Sequence, residues 1–264
     1  MTSTGSNPPA HARKVVVPAR AKLNLDLAIV GRRADGYHEL RTRMQAIDLH
    51  DLIEVEVAQD TSLITTGFEL GDSTTRNTVL MAHSALEKAL GRSLPTRFHL
   101  HKRIPPGSGL GGASSDAAAA LRAMVAVHGV ETDLWKIAPS VGADVTFFLS
   151  GGAALVEGIG AQVTPIESAP AWYAIAWPLV ELRTADVYTA WDEVKGEGPN
   201  ELRRAAGQAD GRVDEFATQL GKGWQMTGSG SAFFRVCTSR SEAWEATEEL
   251  ECWTAITAAV GAWT

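Results

Sequence analysis

The residues from Lys102 to Ala120 read Lys-Arg-Ile-Pro-Pro-Gly-Ser-Gly-Leu-Gly-Gly-Ala-Ser-Ser-Asp-Ala-Ala-Ala-Ala, with four glycines within six positions. Glycines without side chains let a backbone lie directly against a ligand. Ser114 or Ser115 is a suitable cap for the helix that the following alanines predict. A glycine loop that leads into a helix N-terminus directs free N–H groups and the positive end of the helix dipole at one spot, which suits phosphate. A glycine-rich surface turn before an ordinary helix is an equally good interpretation of this stretch alone.

The overall composition is that of a water-soluble globular chain, with 264 residues, 45% hydrophobic and 21% charged. Its net charge of −7 argues against a nucleic-acid partner, although a local cluster of Lys, Arg and N–H groups can still bind an anionic substrate. Cys237 and Cys252 lie far apart and give neither a metal spacing nor a disulfide framework, which suits a cytoplasmic location. We expect a frayed tail from Met1 to His11, without a signal peptide, and no segment that crosses a membrane.

The residues from Lys22 to Val30 alternate almost strictly between polar and apolar side chains, which predicts a β-strand. Its core-facing side would carry Leu23, Leu25, Leu27 and Ile29. Its other side would carry Lys22, Asn24 and Asp26. The pattern fits a half-exposed edge strand with a solvated polar face, and it also fits a lysine and an asparagine that together hold phosphate or hydroxyl oxygens.

The residues Asp35-Gly-Tyr-His38 predict a tight turn, because Asp-Gly is a strong turn dipeptide. Tyr37 and His38 directly after the glycine could stack on a base and hydrogen-bond to it. By default, a lone Tyr-His pair only packs at the surface or is partly buried.

Helix signals follow on both sides of the glycine loop. Asn77 or Thr78 can cap a helix that Gly91 ends, and Pro139 predicts a short or kinked helix after the loop. Asp144 follows at an element junction, where its carboxylate is either held at a cleft or is an ordinary turn aspartate. The apolar residues 145–156 around Gly151-Gly152 predict a hairpin.

The second half begins where the pattern is lost, around Pro165 to Pro170. We expect a polar, mobile loop over 196–211 and a second glycine-serine turn at Met226–Ser231. The remaining elements are strand 172–177, helix 185–194, helix 214–220, strand 232–236, a helix from the Ser239 cap to about Leu250, and strand 253–260. This order is compatible with a ferredoxin-like α+β layer.

Two nucleotide-binding motifs are excluded. Gly107, Gly109 and Gly112 match the dinucleotide pattern G-x-G-x-x-G, and Glu131 lies at a suitable distance after them. The first strand of that fold is buried on both faces and continuously apolar, whereas Phe-His-Leu-His-Lys-Arg before this loop is polar on one face. The pattern G-x-x-x-x-G-K-[ST] of a P-loop is absent from the sequence.

The motifs resemble those of the GHMP kinase superfamily, whose members phosphorylate small molecules. Pro105–Ala118 resembles its phosphate-binding motif, Gly228-Ser-Gly-Ser231 its third motif, and Lys22-Leu-Asn-Leu25 its first motif. Asp35-Gly-Tyr-His-Glu39 and Gly142-Ala-Asp-Val145 further resemble the branch that acts on a diphosphocytidyl sugar alcohol. The similarity is specific over residues 15–165 and weaker beyond them.

This resemblance implies an α+β fold with two domains. Residues 1–168 would form an ATP-binding domain of the ribosomal protein S5 domain 2 type, and residues 169–264 a ferredoxin-like domain. The active site would lie between them. The implied cofactors are ATP and Mg²⁺, and the implied substrate is the small molecule 4-diphosphocytidyl-2-C-methyl-D-erythritol, phosphorylated on its 2-hydroxyl. The protein would be a monomer or a weak homodimer.

The resemblance also implies roles for individual residues. Asp144 would take the hydroxyl proton and Lys22 would be its charged partner. The residues implied for the nucleotide are Asn77, Lys102, Pro105, Gly107, Ser108, Gly109, Leu110, Gly111, Gly112, Ala113, Ser114, Ser115 and Asp116. The residues implied for the substrate are Asn24, Tyr37, His38, Tyr188, Gly228 and Ser229. None is assigned as a metal ligand.

Two alternative functions stay open at this point. Another GHMP kinase that acts on a different small alcohol would keep the glycine loop but lack the Asp-Gly-Tyr-His turn. A catalytically silent nucleotide-binding protein is suggested by the short chain between Asn200 and Thr227. The presence of both Lys22 and Asp144 argues against the silent protein.

Overall fold

The computed structural model describes residues 14–68 and 77–263, so the tail expected at Met1–His11 lies outside the described residues. The first half contains, in chain order, β1 (Lys14–Asn24), β2 (Ala28–Arg32), β3 (His38–Val57), β4 (Ser62–Gly67), α1 (Thr78–Leu90), β5 (Thr96–Lys102), α2 (Gly112–His128), α3 (Leu134–Val141), α4 (Val145–Ser150), β6 (Ala153–Gly158) and β7 (Gln162–Ile166).

The long strand β3 organises the sheet of the first half. Five strands follow the order β4-β5-β3-β6-β7, and β1 and β2 pair with β3 as well. β4 pairs with β5 in parallel, while the pairs that involve β3 and the pair β6–β7 are antiparallel. A strand of 20 residues can accommodate four partners because each partner occupies only part of its length.

The core of the first half lies between this sheet and the helices. Ile53 and Val55 of β3 and Phe98 and Leu100 of β5 are buried there, as the alternation of β5 predicts. The alanine run Ala117–Ala120 is buried along α2, where small side chains let the helix approach the strands closely. Burial of this apolar surface is the main stabilising contribution.

The second half is a four-stranded antiparallel sheet with helices: β8 (Trp172–Trp177), α5 (Thr184–Val194), α6 (Arg203–Ala209), α7 (Arg212–Leu220), β9 (Gln225–Met226), β10 (Phe233–Cys237), α8 (Arg240–Glu245) and β11 (Trp253–Ala258). In the strand order β11-β8-β10-β9, the last strand of this half, β11, lies beside its first strand, β8. β10 lies between β8 and β9. This is the arrangement of a ferredoxin-like layer, and the α+β prediction is confirmed.

The two halves share part of their core. Leu23 and Leu110 from the first half are buried in one cluster with Ile175 and Phe234 from the second half. Single β-bridges also join Ile47 to Ala259 and Gly151 to Ala262. The boundary predicted after residue 168 falls in the connection between β7 and β8.

Three predictions for the local structure are wrong, and in the first two burial outweighs composition. Val145–Ser150 forms the helix α4 rather than a strand of a hairpin, since a short, fully buried apolar run does not distinguish the two. The segment 196–211 contains α6, whose Ala205, Ala206 and Gly207 are buried, so it is not a loop throughout. The last predicted helix ends at Glu245 instead of near Leu250.

Candidate active site

A cleft of about 760 Å³ lies between the glycine loop of the first half and the start of α5 in the second. It brings together nearly all of the residues that the sequence singles out: Lys22, Asn24, Tyr37, His38, Asn77, Lys102, Pro105, Gly107, Ser108, Gly109, Leu110, Gly111, Gly112, Ala113, Ser114, Asp116, Asp144, Tyr188, Gly228 and Ser229. Ser115 is buried outside the lining, where its hydroxyl donates to the Gly112 carbonyl at 2.9 Å.

The glycines of the loop are required by both backbone conformation and space. Gly107, Gly109 and Gly111 have φ values of 59°, 79° and 77°, in the left-handed region that favours glycine. A Cβ atom on Gly109 would lie 2.4 Å from the Thr227 carbonyl oxygen, and one on Gly111 would lie 2.8 Å from the Phe148 ring. The loop therefore fits tightly against its surroundings only because these positions are glycine.

Hydrogen bonds from three other parts of the chain hold the loop in place. Its carbonyl groups accept backbone N–H donors from outside the loop at three points: Gly107 from Leu182 (3.2 Å), Ser108 from Ala232 (2.9 Å) and Leu110 from Lys22 (2.9 Å). Because these carbonyls are engaged, the conformation of the loop is fixed before any ligand binds.

Helix α2 begins without a side-chain cap. Its N-cap is Gly111, so the prediction that Ser114 or Ser115 caps this helix is wrong. Both serines lie inside the first turn, because the left-handed glycine ends the loop earlier than the sequence indicates. The N–H groups of this first turn have no capping side chain and border the cleft, which is the arrangement that binds an anion.

Lys22 lies at the floor of the cleft and is only 4% exposed. Its ammonium group donates to the Asn24 side-chain oxygen and to the Gly109 carbonyl oxygen (2.8 Å), and it lies 4.0 Å from Asp144 Oδ2. Asn24 in turn donates to Thr42 Oγ1 at 2.8 Å. Burial lowers the pKa of Lys22, and the charge of Asp144 opposes this change. The polar face of β1 is therefore buried at the end of the strand, and the interpretation of a solvated edge is wrong for Lys22 and Asn24.

A second buried cation lies beneath the loop. The Lys102 ammonium contacts the carboxylates of Asp51 and Asp116, the latter at 2.7 Å. Asp51 Oδ1 also accepts the N–H groups of Arg103 and Ile104, so this cluster connects the start of the loop to the first turn of α2. Burial raises the pKa of Asp116 to about 8, while Lys102 acts to lower it. The predicted contact of Lys102 with the adenosine end stays a prediction.

The far end of the cleft carries a group of aromatic side chains. The His38 ring stacks on Tyr188 with ring centroids 5.1 Å apart and an interplanar angle of 20°, and its Nε2 lies 2.8 Å from Asp192 Oδ1. Trp191 contacts the same ring edge-on at 5.3 Å. Burial raises the pKa of Tyr188 to about 12, and the charge of Asp144 adds to this shift. Tyr37 is 65% exposed and so is accessible to a ligand.

Sequence reasoning missed Asp192 and Trp191, which hold His38 in position. Together with Tyr188 they occupy one face of α5 at spacings of three and four residues. That spacing is visible in the sequence, but only the fold shows that this face meets the Asp35–His38 turn.

The second glycine-serine turn borders the cleft opposite α2. A Cβ atom on Gly228 would lie 2.9 Å from the Lys22 ammonium nitrogen. The Asn200 side chain donates to the carbonyl oxygens of Met226 (2.8 Å) and Gly228 (2.9 Å), and Ser229 Oγ lies 3.0 Å from Thr184 Oγ1. Asn200 therefore holds this turn against the lysine.

The chain is similar in sequence to known kinases over most of its length. The family described as "GHMP kinases N terminal domain" matches residues 77–152. A 4-diphosphocytidyl-2-C-methyl-D-erythritol kinase of Caldicellulosiruptor saccharolyticus is 34% identical over 90% of this chain and 93% of its own length. One of Pseudomonas entomophila is 35% identical over 87% of this chain and 86% of its own. The chain belongs to the 4-diphosphocytidyl-2-C-methyl-D-erythritol kinase family.

Solved structures agree with membership of this GHMP kinase family. A crystal structure of 4-(cytidine 5'-diphospho)-2C-methyl-D-erythritol kinase superposes with a TM-score of 0.80 at 32% identity and covers 94% of this chain and 100% of that chain. A homoserine kinase from Cytophaga hutchinsonii superposes with a TM-score of 0.65 at 16% identity, which shows the shared fold alone. The predicted GHMP kinase fold and family are confirmed. Among the helices described, none has the length and apolar character needed to cross a membrane.

We predict that Gly109→Ala lowers kinase activity by about 10²-fold, because the added Cβ collides with the Thr227 carbonyl and displaces the loop. The matched control is Gly129→Ala at the end of α2, which has a φ of 60° but open space around its Cβ. That control carries only the left-handed backbone penalty of about 1 kcal/mol and keeps its activity. Steady-state kinetics and urea unfolding measure both variants, and equal activity losses would contradict the steric explanation.

Proposed function

We propose that this protein transfers the γ-phosphoryl group of ATP to the 2-hydroxyl of 4-diphosphocytidyl-2-C-methyl-D-erythritol, a step toward isoprenoid precursors in the non-mevalonate pathway. The observation that carries the proposal is the Lys22–Asp144 pair, with 4.0 Å between Nζ and Oδ2, beside the glycine loop. The names of the relatives support the choice of substrate.

The residues of the cleft fit the triphosphate of ATP. The uncapped first turn of α2 offers N–H donors, and the three left-handed glycines let the loop pack closely against its neighbours while it borders the cleft. ATP supplies the phosphoryl group. The chain contributes position and charge, which account for most of the catalysis in phosphoryl transfer.

Asp144 is the general base in this proposal. Its carboxylate accepts the proton of the substrate hydroxyl, which makes the oxygen a better nucleophile. Lys22 stabilises the negative charge that develops, and it acts strongly because it is buried in a medium of low dielectric constant. Asn24 and the Gly109 carbonyl orient the ammonium group, so that little reorganisation is needed during transfer.

We propose that Mg²⁺ binds with the nucleotide near the first turn of α2. Ser114 and Asp116 border the cleft there, and Asp116 Oδ1 is buried without a hydrogen-bond partner among the residues described. Oxygen donors of this kind are those that Mg²⁺ prefers, and the remaining ligands would be phosphate oxygens and water.

At the other end of the cleft, Tyr37 and His38 bind the cytosine, with Tyr188 as the stacking partner of His38. Gly228 and Ser229 form the wall of the cleft beside Lys22 and contact the substrate there. Asn77 and Lys102 remain our candidates for the adenosine end.

We further propose a cytoplasmic enzyme without a nucleic-acid partner. Cys237 and Cys252 are both free thiols, which suits a reducing compartment. The acidic net charge of −7 gives no general attraction to nucleic acid. We propose that the enzyme is a monomer or a weak homodimer.

The first test measures ADP release with a panel of alcohols. We expect turnover with the diphosphocytidyl compound and less than about 1% of that rate with homoserine, mevalonate and galactose. Only the diphosphocytidyl compound carries a cytosine that can contact Tyr37 and His38. A preference for another alcohol would indicate a different GHMP kinase. ATP binding without turnover on any member of the panel would indicate the silent protein.

The second prediction concerns the base. Asp144→Asn keeps the size of the side chain but removes its basicity, so kcat should fall by about 10² to 10⁴-fold while the Kd for ATP stays within about threefold. The exposed Asp48→Asn is the matched control and should behave like the wild type. Retention of kcat in Asp144→Asn would remove this residue from the mechanism.

The third prediction concerns the cytosine end. Tyr37→Ala should raise KM for the cytidyl substrate by about tenfold, the value of one base–aromatic contact, and leave KM for ATP unchanged. Trp244→Ala, which removes another exposed aromatic ring from a helix outside the cleft, is the control. Equal changes in both KM values would show that the turn does not bind the base.

A further inference from the structure

The sheet of the first half has an outer face, opposite the helices, that carries two histidines and a glutamate outside the cleft. His99 and His101 of β5 lie two residues apart and so share one face of the strand. Glu54 of β3 lies directly across from His99. The neighbouring Phe98 and Leu100 point into the core, so the polar side chains must occupy the other face.

The three side chains are close enough to share one ion. One ligand atom from each lies within 4.8 Å of the other two. The rings of His99 and His101 have centroids 3.9 Å apart, and His101 Nε2 lies 3.6 Å from Glu54 Oε1. A tetrahedral Zn²⁺ with bonds of about 2.0–2.2 Å requires ligand atoms about 3.4 Å apart. Small side-chain rotations therefore complete the geometry without movement of the strands.

The hydrogen bonds around these residues leave ligand atoms available. His101 Nδ1 lies 2.9 Å from the Thr66 hydroxyl of β4, a contact that orients the ring and leaves Nε2 toward Glu54. Lys14 contacts Glu54 through Oε2, while Oε1 faces His101.

The environment of His99 supports a metal site independently of the distances between the three side chains. Its Nε2 is buried and has no hydrogen-bond partner within the part of the chain that the structure describes. A buried polar atom without a partner is energetically unfavourable, and a metal ion bound to this nitrogen would satisfy it.

We propose that Glu54, His99 and His101 form a binding site for a divalent transition-metal ion, with Zn²⁺ as the expected occupant and water as the fourth ligand. Two imidazoles and one carboxylate are a donor set that Zn²⁺ prefers, whereas Mg²⁺ prefers oxygen ligands alone. The site is separate from the cleft. A bound ion would cross-link β3 to β5 on the outer face of the sheet.

The test uses the full chain, with any affinity tag removed and the protein treated with a chelator and then dialysed. Calorimetric titration with ZnSO₄ in excess Mg²⁺ should give one high-affinity Zn²⁺ per chain. His99→Ala and His101→Ala should each raise the Kd for Zn²⁺ by more than about tenfold. The matched control is His50→Ala on β3, outside the cluster, which should bind as the wild type does.

Two further measurements distinguish specific metal coordination by these three residues from non-specific binding of metal at the surface. Co²⁺ should give visible absorption bands of a four-coordinate ion in the wild type but not in His101→Ala. Zn²⁺ should raise the Tm of the wild type and not that of His101→Ala, while the two proteins unfold at similar temperatures without metal. Unchanged Zn²⁺ affinity in both histidine variants, or the absence of stoichiometric binding to the wild type, would overturn the proposal. Kinase activity is measured separately and does not enter this comparison.

Discussion

The arrangement of the cleft depends on one buried ammonium group. Lys22 has lost nearly all of its contact with water, and its position is stable only because Asn24, the Gly109 carbonyl and Asp144 replace the solvent around it. Each of these partners comes from a different part of the fold. The charge therefore requires that the first strand, the glycine loop and the start of α4 all meet at one point.

The same requirement explains why the loop and the second turn carry glycine at the points of closest approach. Gly109 lies against Thr227, and Gly228 lies against the lysine itself, so two backbone segments approach the ammonium from opposite halves of the chain. Asn200 holds the second of these segments through its side-chain amide. The charge and the close packing thus depend on each other, because a looser cleft would admit water and weaken the electrostatic effect.

The sequence alone was sufficient for features with a strong local signal. The Asn77 cap and the Gly91 end of α1 are confirmed, since both follow from local backbone chemistry. The α+β architecture and the kinase family could also be predicted, because several motifs occur in a fixed order. The run Val145–Ser150 was assigned wrongly to a hairpin, because burial of nearly the whole run removes the periodicity that separates a helix from a strand. The burial of Lys22 and the support of His38 by Asp192 depend on contacts between distant segments, which no local pattern records.

The core that joins the two halves has a consequence for synthesis of the chain on the ribosome. Leu23 and Leu110 are translated early, yet they are covered by residues such as Ile175 and Phe234 that emerge much later. Ala259, directly after β11, bridges to Ile47 of β3 later still. Until those later residues leave the exit tunnel, the nascent first half exposes apolar surface that a chaperone can bind. Completion of the cleft therefore waits for the second half, even though most of the residues that line it are made in the first half.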